Sequence, residues 1–418
     1  MTDSSDSLDR RQFLKAVGAA GLCPILASSA LGAAADGPAG KPATAPADPK
    51  TAGQVPKRKL GKTGVEITVV GLGSGTVDLA SNQDVLTRAL KCGITYWDTS
   101  ISYGGSELGI GRFFARDPAL RPRIFLVTKT ADITTPMPVI ADVERQFRES
   151  LKQLGTDYID LYLGVHAMPD ARQLTDEVRQ WADEKKKKGL IKFFGFSTHS
   201  NMDRNLMAAS KLDWIDACLV RCDFRVMREP RMQEAIEACS KAGIGLIAIK
   251  AMGAGLNTNS AEDRKLSNYF TDKGYDQHQA KIKALLEDKR FTAAAVGMRN
   301  PDIVESCAKA VVDKATLSQA DHAALRQYAQ ATCDSYCAGC DNICAAALPD
   351  VGTVSDVMRY LMYHNTYGDR ERARGLFARI PPATRLRLLA ADYRPAEARC
   401  PQHIPIGKMV AEAFRRLA

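Results

Sequence analysis

From about residue 64 the chain alternates short β-branched runs with amphipathic helical stretches eight times, and this repeat restricts the fold more than any other feature. The predicted strands are 67–72, 93–98, 124–129, 160–165, 191–197, 217–222, 244–250 and 293–297. Helical periodicity fills the intervals, as in Gln83–Lys91, Val139–Leu154, Thr175–Lys188 and Arg231–Ala242. Buried strands separated by helices make a parallel sheet, and eight is the number at which such a sheet closes into an α/β fold of the (β/α)8 TIM barrel type. The 418 residues leave ample room for the roughly 250 that a barrel takes. An open, doubly wound sheet is disfavoured, because Gly71-Leu72-Gly73-Ser74-Gly75 lacks the glycine with which a dinucleotide turn enters its helix.

The strands end in Gly73/Ser74, Asp98, Lys129, His166, Ser197/Thr198, Arg221/Asp223, Lys250 and Met298/Arg299. In a parallel barrel the C-terminal strand ends converge on one face, so apolar runs that repeatedly stop at ionisable groups point to a site there. Composition adds mainly exclusions. Hydrophobic residues make up 45% and charged residues 25%, as in ordinary globular chains. No apolar run after residue 35 is long enough to span a bilayer, so stable membrane insertion is not expected. The run Lys185–Lys188 follows Asp176, Glu177, Asp183 and Glu184 without interleaved aromatics, which describes a solvated helix end rather than a nucleic-acid surface.

Residues 9–15 read Asp-Arg-Arg-Gln-Phe-Leu-Lys, followed by a mildly apolar stretch from Ala16 to Leu31 and by Ala33-Ala34-Ala35. This resembles a twin-arginine signal peptide with a small-residue cleavage site, spanning 1–35. It implies an exported, periplasmic protein, or a cytoplasmic one if the leader is not used. Residues 36–55, rich in Pro, Ala, Gly and Lys, suit a linker. The barrel is expected over 56–320 and a small helical, cysteine-rich unit over 321–418.

Several segments together resemble the aldo-keto reductase family. They are Arg58-Lys59-Leu60-Gly61-Lys62-Thr63-Gly64, Trp97-Asp98-Thr99-Ser100-Ile101-Ser102-Tyr103-Gly104, the stretch Ser150 to Tyr162, Gly195-Phe196-Ser197-Thr198-His199 and Val296-Gly297-Met298-Arg299. The resemblance covers about residues 56–312, in the family's order. It implies a catalytic set of Asp98, Tyr103, Lys129 and His166. Hydride arriving at a carbonyl carbon builds alkoxide charge, so a proton donor must lie beside the oxygen. A tyrosine with an unperturbed pKa of about 10 is a poor donor at neutral pH. A neighbouring lysine ammonium, held by Asp98, is expected to lower it. His166 lies six residues after Asp160, where the family has five. A bulge at Gly164 is needed to return its side chain to the inner face.

The resemblance also implies an NADP or NAD site over Ser74, Asp98, Ser197, Thr198, Arg221, Lys250, Gly297, Met298 and Arg299. The chain departs from the family at Arg221, at Ile249 in place of a stacking tyrosine, and at Val296-Gly297 in place of the lysine-serine pair that holds a 2′-phosphate.

Of eleven cysteines, Cys23 lies in the leader and Cys92, Cys218, Cys222, Cys239 and Cys307 are scattered as small buried hydrophobes are. Cys333, Cys337, Cys340, Cys344 and Cys400 fall in the last 90 residues. Cys337-x2-Cys340-x3-Cys344 with Cys400-Pro401, together with Met358–His364 and Tyr367-Gly368, resembles the C-terminal extension of iron–sulfur members of the family. That implies one 4Fe-4S cluster on Cys337, Cys340, Cys344 and Cys400, with a zinc site or disulfides as alternatives. Relatives carry two further cysteines where Tyr393 and Ala396 stand here. The expected function is NAD(P)-dependent interconversion of a small carbonyl and its alcohol. An electron-transfer partner is compatible with the tail. The contrasting expectation is a non-catalytic or regulatory barrel that binds the cofactor or a redox partner, with a structural metal site in the tail.

Overall fold

The computed structural model describes residues 54–132, 137–257 and 260–418. The segment expected to be a twin-arginine leader lies outside these residues, as does all but the end of the expected linker.

An antiparallel hairpin, β1 (Lys57–Lys59) with β2 (Glu66–Thr68), precedes eight parallel strands. These are β3 (Val70–Gly73), β4 (Tyr96–Asp98), β5 (Phe125–Lys129), β6 (Ile159–Val165), β7 (Ile191–Thr198), β8 (Ala217–Arg221), β9 (Gly245–Ile249) and β10 (Phe291–Gly297). They close as a barrel in sequence order, with β10 returning to pair with β3. The barrel expected from the repeat is the one observed, and each strand overlaps its predicted span. The hairpin floors it. Leu60 and Ile67 join the interior cluster, and Gly61 turns with φ 49° so close to Gly243 that a Cβ would stand 2.2 Å from its carbonyl oxygen.

Strand periodicity sorts the side chains into two layers. Tyr96, Phe125, Val127, Leu161, Leu163, Ala217, Leu219, Ile247, Ala293 and Ala295 fill the interior. The alternate residues Trp97, Leu126, Tyr162, Cys218, Val220, Leu246 and Ala294 face outward, against the surrounding helices. Continuing the inward parity to the strand ends delivers Asp98, Lys129 and Arg221 to the mouth. Strand β6 would break this rule without an irregularity. The β6–β7 register shifts between Leu163 and Val165, which is the bulge expected at Gly164. Leu163 faces in, Val165 faces out, and His166 is thereby returned to the inner side. A Cβ at 164 would stand 2.6 Å from the Phe194 ring, so packing as well as register favours glycine there.

After the helices Pro301–Val312 and Gln319–Ala331, the tail forms its own apolar core. Its helices Val354–Asn365 and Ile406–Leu417 both contribute, the latter through Ile406, Met409, Val410, Ala413 and Leu417 at helical spacing. Tyr393 and Ala396, at the positions where relatives carry further cysteines, are buried in that core. No helix among the described residues is long and apolar enough to cross a membrane.

Candidate active site

At the C-terminal mouth, Lys129 lies on the end of β5 and Asp98 on the end of β4, both buried. The Lys129 ammonium donates to Asp98 Oδ1 at 2.9 Å, to Asp98 Oδ2 at 2.8 Å and to the Thr99 carbonyl at 2.5 Å. An ammonium has three N–H groups, and these contacts use all of them. Burial pushes Asp98 up and Lys129 down, each opposed by the attraction of the other.

Tyr103 follows β4 on a turn and lines the cleft. Lys129 Nζ lies 4.8 Å from its ring centroid, over the ring face. The phenol stands above its ordinary value, because burial and then Asp98 raise it. The cation that opposes this most is Arg372 of the tail. The expected lowering by Lys129 is therefore not what the geometry delivers. Lys129 is committed to Asp98, and the negative charge of Asp98 raises the phenol, so the pair brings no net lowering.

His166 is buried, and its ring meets Tyr103 edge-on at 6.3 Å. Its Nδ1 is 2.7 Å from the Thr130 carbonyl, which can only accept, so the proton sits on Nδ1 and Nε2 is a bare acceptor with no partner. Burial holds the imidazole neutral, down to about 3, although Asp132 favours its charged form. A neutral ring in this tautomer can receive a hydrogen bond at Nε2 but cannot donate one there.

A cleft of about 690 Å³ opens beside these groups. Of the residues singled out from the sequence, Asp98, Tyr103, Lys250, Gly297 and Arg299 line it. Ser74, Lys129, His166, Ser197, Thr198, Arg221 and Met298 do not. Ser74 Oγ donates to the Asp98 carbonyl at 2.8 Å, and Ser197 Oγ accepts from Ala167 N at 3.0 Å. Thr198 Oγ1 lies 2.8 Å from both the Met168 and Ser200 carbonyls. Arg221 donates to the Cys337 carbonyl and lies over the Tyr336 ring at 5.2 Å, so it ties the barrel to the tail. The cleft extends past Arg299 and Asn300 to the start of the helix Pro301–Val312, where Asn300 caps the backbone N–H of Ile303 at 3.0 Å. Free N–H groups at a helix N-terminus favour phosphate.

His199, which is not among the residues expected from the sequence to form the site, lines the cleft with Nδ1 buried and unpartnered. Asp132, bound to Arg359 at 2.9 Å and lying 3.5 Å from His166, is likewise new to the site, as are three tail residues, Arg359, Tyr363 and Arg372. Inward parity along β7 (Phe193, Gly195, Ser197) continues to His199 and could have flagged it. For the tail residues, the spacing of Arg359 and Tyr363 marks one helix face but not what that face covers.

The tail thiols behave as a group. Burial raises Cys337, Cys340 and Cys344, and each is raised further by other cysteines of the set, including Cys400; Cys340 reaches about 12. Four cysteines supply the donor type and number that a cluster takes. Among the described residues, however, no group of three or more His, Cys, Asp or Glu is arranged to hold a metal ion.

The Aldo/keto reductase family matches residues 68–330, a span that ends before the clustered cysteines. An uncharacterized oxidoreductase of Bacillus subtilis (strain 168) is 25% identical over 218 residues, 47% of this chain and 66% of that protein, so the match takes in a little under two thirds of the relative's length. The L-glyceraldehyde 3-phosphate reductase of Escherichia coli O157:H7 is 23% identical over 313 residues, 63% of this chain and 90% of the relative. Among solved structures, the holo form of an aldo-keto reductase from Bacillus halodurans superposes with a TM-score of 0.55 at 20% identity, covering 66% of this chain and 96% of that one, which bears on the fold alone.

Proposed function

The chain belongs to the aldo/keto reductase family, and from that premise we propose that it is an NAD(P)-dependent oxidoreductase acting on a small carbonyl or alcohol in the cleft beside Tyr103. The observation that carries this reading is the buried Lys129–Asp98 pair directly beneath the Tyr103 ring, at the edge of a cavity of ligand size.

A nicotinamide dinucleotide, when bound, supplies the hydride. Arg299 and the start of the helix Pro301–Val312 would hold its phosphates, and Gly297 lines the cleft beside them, where a Cβ would stand 2.8 Å from Thr76 Oγ1. Tyr103 donates its proton to the oxygen as alkoxide charge develops. The neutral His166, with Nε2 free to accept, can orient a hydroxyl hydrogen in that step. Lys129 and Asp98 fix the ring from below, and Arg372 supplies the positive charge that favours proton release. Replacing Tyr103 with Phe tests the assignment: carbonyl reduction should fall while cofactor binding persists, and retained activity would refute the role.

In the tail, Cys337, Cys340, Cys344 and Cys400 are proposed as the ligands of one 4Fe-4S cluster, supported by donor type, number and spacing in the sequence. Such a cluster supplies one-electron transfer or structural bracing, and would suit an electron-transfer partner in the first case. The leader resemblance supports export. A second reading, a barrel that keeps the fold and binds the cofactor without turnover, is favoured by the departures at Arg221, Ile249 and Val296, of which Arg221 is spent on the Cys337 carbonyl. Stoichiometric NADPH binding without reduction of any carbonyl would select it.

A further inference from the structure

The tail helix Arg370–Ala378 brings a cation to the cleft from outside the family match. The Arg372 guanidinium lies 4.7 Å from the Tyr103 ring centroid and 4.8 Å from that of Tyr363, and donates to the Gly75 carbonyl at 3.0 Å. Lys250, at the end of β9, lies 4.4 Å from the Tyr363 ring centroid and 4.8 Å from that of Tyr367. Both cations line the cavity together with Tyr103 and Asp98.

Among the described residues, neither cation forms an ion pair with a carboxylate. The nearby carboxylates are already committed, Asp98 to Lys129 and Asp132 to Arg359. The one ionisable partner they share is the Tyr363 phenol, and even when it is ionised two half-buried cations against one phenolate leave a positive charge unmatched, which makes a site for an anion. Lys250 also holds φ 60°, a left-handed conformation that a lysine rarely adopts. Although burial pushes the Tyr363 phenol up, Lys250, Arg359 and Arg372 pull it down to about 7, which reports the positive field in this recess.

We propose that the recess between Arg372 and Lys250, beside Tyr103, takes the anionic group of the substrate, so that the substrate class is a carbonyl compound bearing a carboxylate close to the reacting carbon. This rests on the oxidoreductase reading and narrows it. Arg372 is then a specificity-determining residue supplied by the tail. A guanidinium meets a carboxylate with paired, charge-assisted hydrogen bonds, and the Tyr103 ring fixes its plane. The cofactor's phosphates are the other anions that could reach this recess, and the two sources are separable by competition.

The test uses the full chain, with oxamate as a non-reacting analogue carrying a carboxylate beside a carbonyl, and oxamide as its uncharged counterpart. Calorimetry should show oxamate binding at least tenfold more tightly than oxamide, with the NADPH complex formed first and retained. Arg372→Gln should weaken oxamate at least tenfold, and Arg372→Lys should recover part of the loss. Thermal melting of both variants verifies folding. Equal binding of oxamate and oxamide, undiminished oxamate binding by a folded Arg372→Gln protein, or displacement of NADPH by oxamate would each overturn the proposal. Failure of the wild-type protein to bind NADPH or NADH is a separate outcome. It sinks the oxidoreductase reading, and with it the identity of the anion as a substrate.

Discussion

Arg359, on a tail helix, places Nη1 2.9 Å from Oδ2 of Asp132, just beyond the end of β5, and both side chains are buried. The same carboxylate lies 3.5 Å from His166 Nδ1. This buried ion pair thus joins the tail to the C-terminal face of the barrel. Burial alone would raise Asp132, but Arg359 and then Arg372 hold it well below the usual carboxylate range. Removing Arg359 leaves a buried charge without its main partner. Arg359→Met is therefore expected to destabilise the protein by about 3–5 kcal/mol in urea denaturation. Adding Asp132→Asn to it should recover much of that loss. Additive losses in the double mutant would show that the pair is not coupled.

Gly164 is expected to be intolerant of even one carbon. Phe194, whose ring a Cβ would press at 2.6 Å, is itself buried and stacked on Trp214 at 5.5 Å, so it cannot easily give way. Gly164→Ala should cost about 1–3 kcal/mol by overpacking. It should also lower turnover by displacing His166, whose inward position depends on the bulge. A variant with wild-type stability and activity would show that neither the contact nor the register matters.

Tyr363 should ionise far below the other tyrosines. Burial opposes this, but Lys250, Arg359 and Arg372 bring it to about 7, whereas Tyr103, Tyr336, Tyr360 and Tyr367 are all raised. Ultraviolet difference absorbance of the native protein should show one phenolate forming near neutral pH, absent in Tyr363→Phe. The sign for stability follows from a folded value depressed below the unfolded value of about 10. The contribution is fully present above about 10 and is lost as pH falls through about 7. The stability difference between wild type and Tyr363→Phe should therefore grow in favour of wild type as pH rises from about 7 to about 10. A phenolate that forms only near pH 10 would contradict the electrostatic picture of the tail.

For the cysteine set, anaerobically purified protein should contain about four iron and four acid-labile sulfide per chain if the cluster proposal is right. Cys340→Ser and Cys400→Ser should each lose both. Zinc without sulfide would replace the cluster by a thiolate zinc site, and free thiols with neither would remove the metal altogether.

The barrel was legible because its signal is local and repeated. Period-two alternation and helical spacing recur eight times, and strand ends such as Asp98 and Lys129 inherit their direction from Tyr96 and Val127 two residues earlier. The bulge was legible too, since an extra residue before His166 needed a glycine to absorb it. The tail's part in the cleft was not. Nothing local to Arg372 records that its helix lies across the barrel mouth, because that contact joins residues nearly 300 positions apart at Gly75. The internal bonding of Ser197 and Thr198 was hidden for a similar reason. Their partners, Ala167 and Met168, lie beyond a bulge on the neighbouring strand, where parity counting from β7 gives no information.

The central claim is that the cleft beside Tyr103, Lys250 and Arg299 is a nicotinamide dinucleotide site. Titrating the purified full chain with NADPH and with NADH, followed by the fluorescence of the reduced nicotinamide, tests it most directly. The account predicts saturable binding of at least one of them at one site per chain, weakened by Arg299→Gln and retained in Tyr103→Phe. Absence of binding by both cofactors to the folded wild-type protein would contradict it.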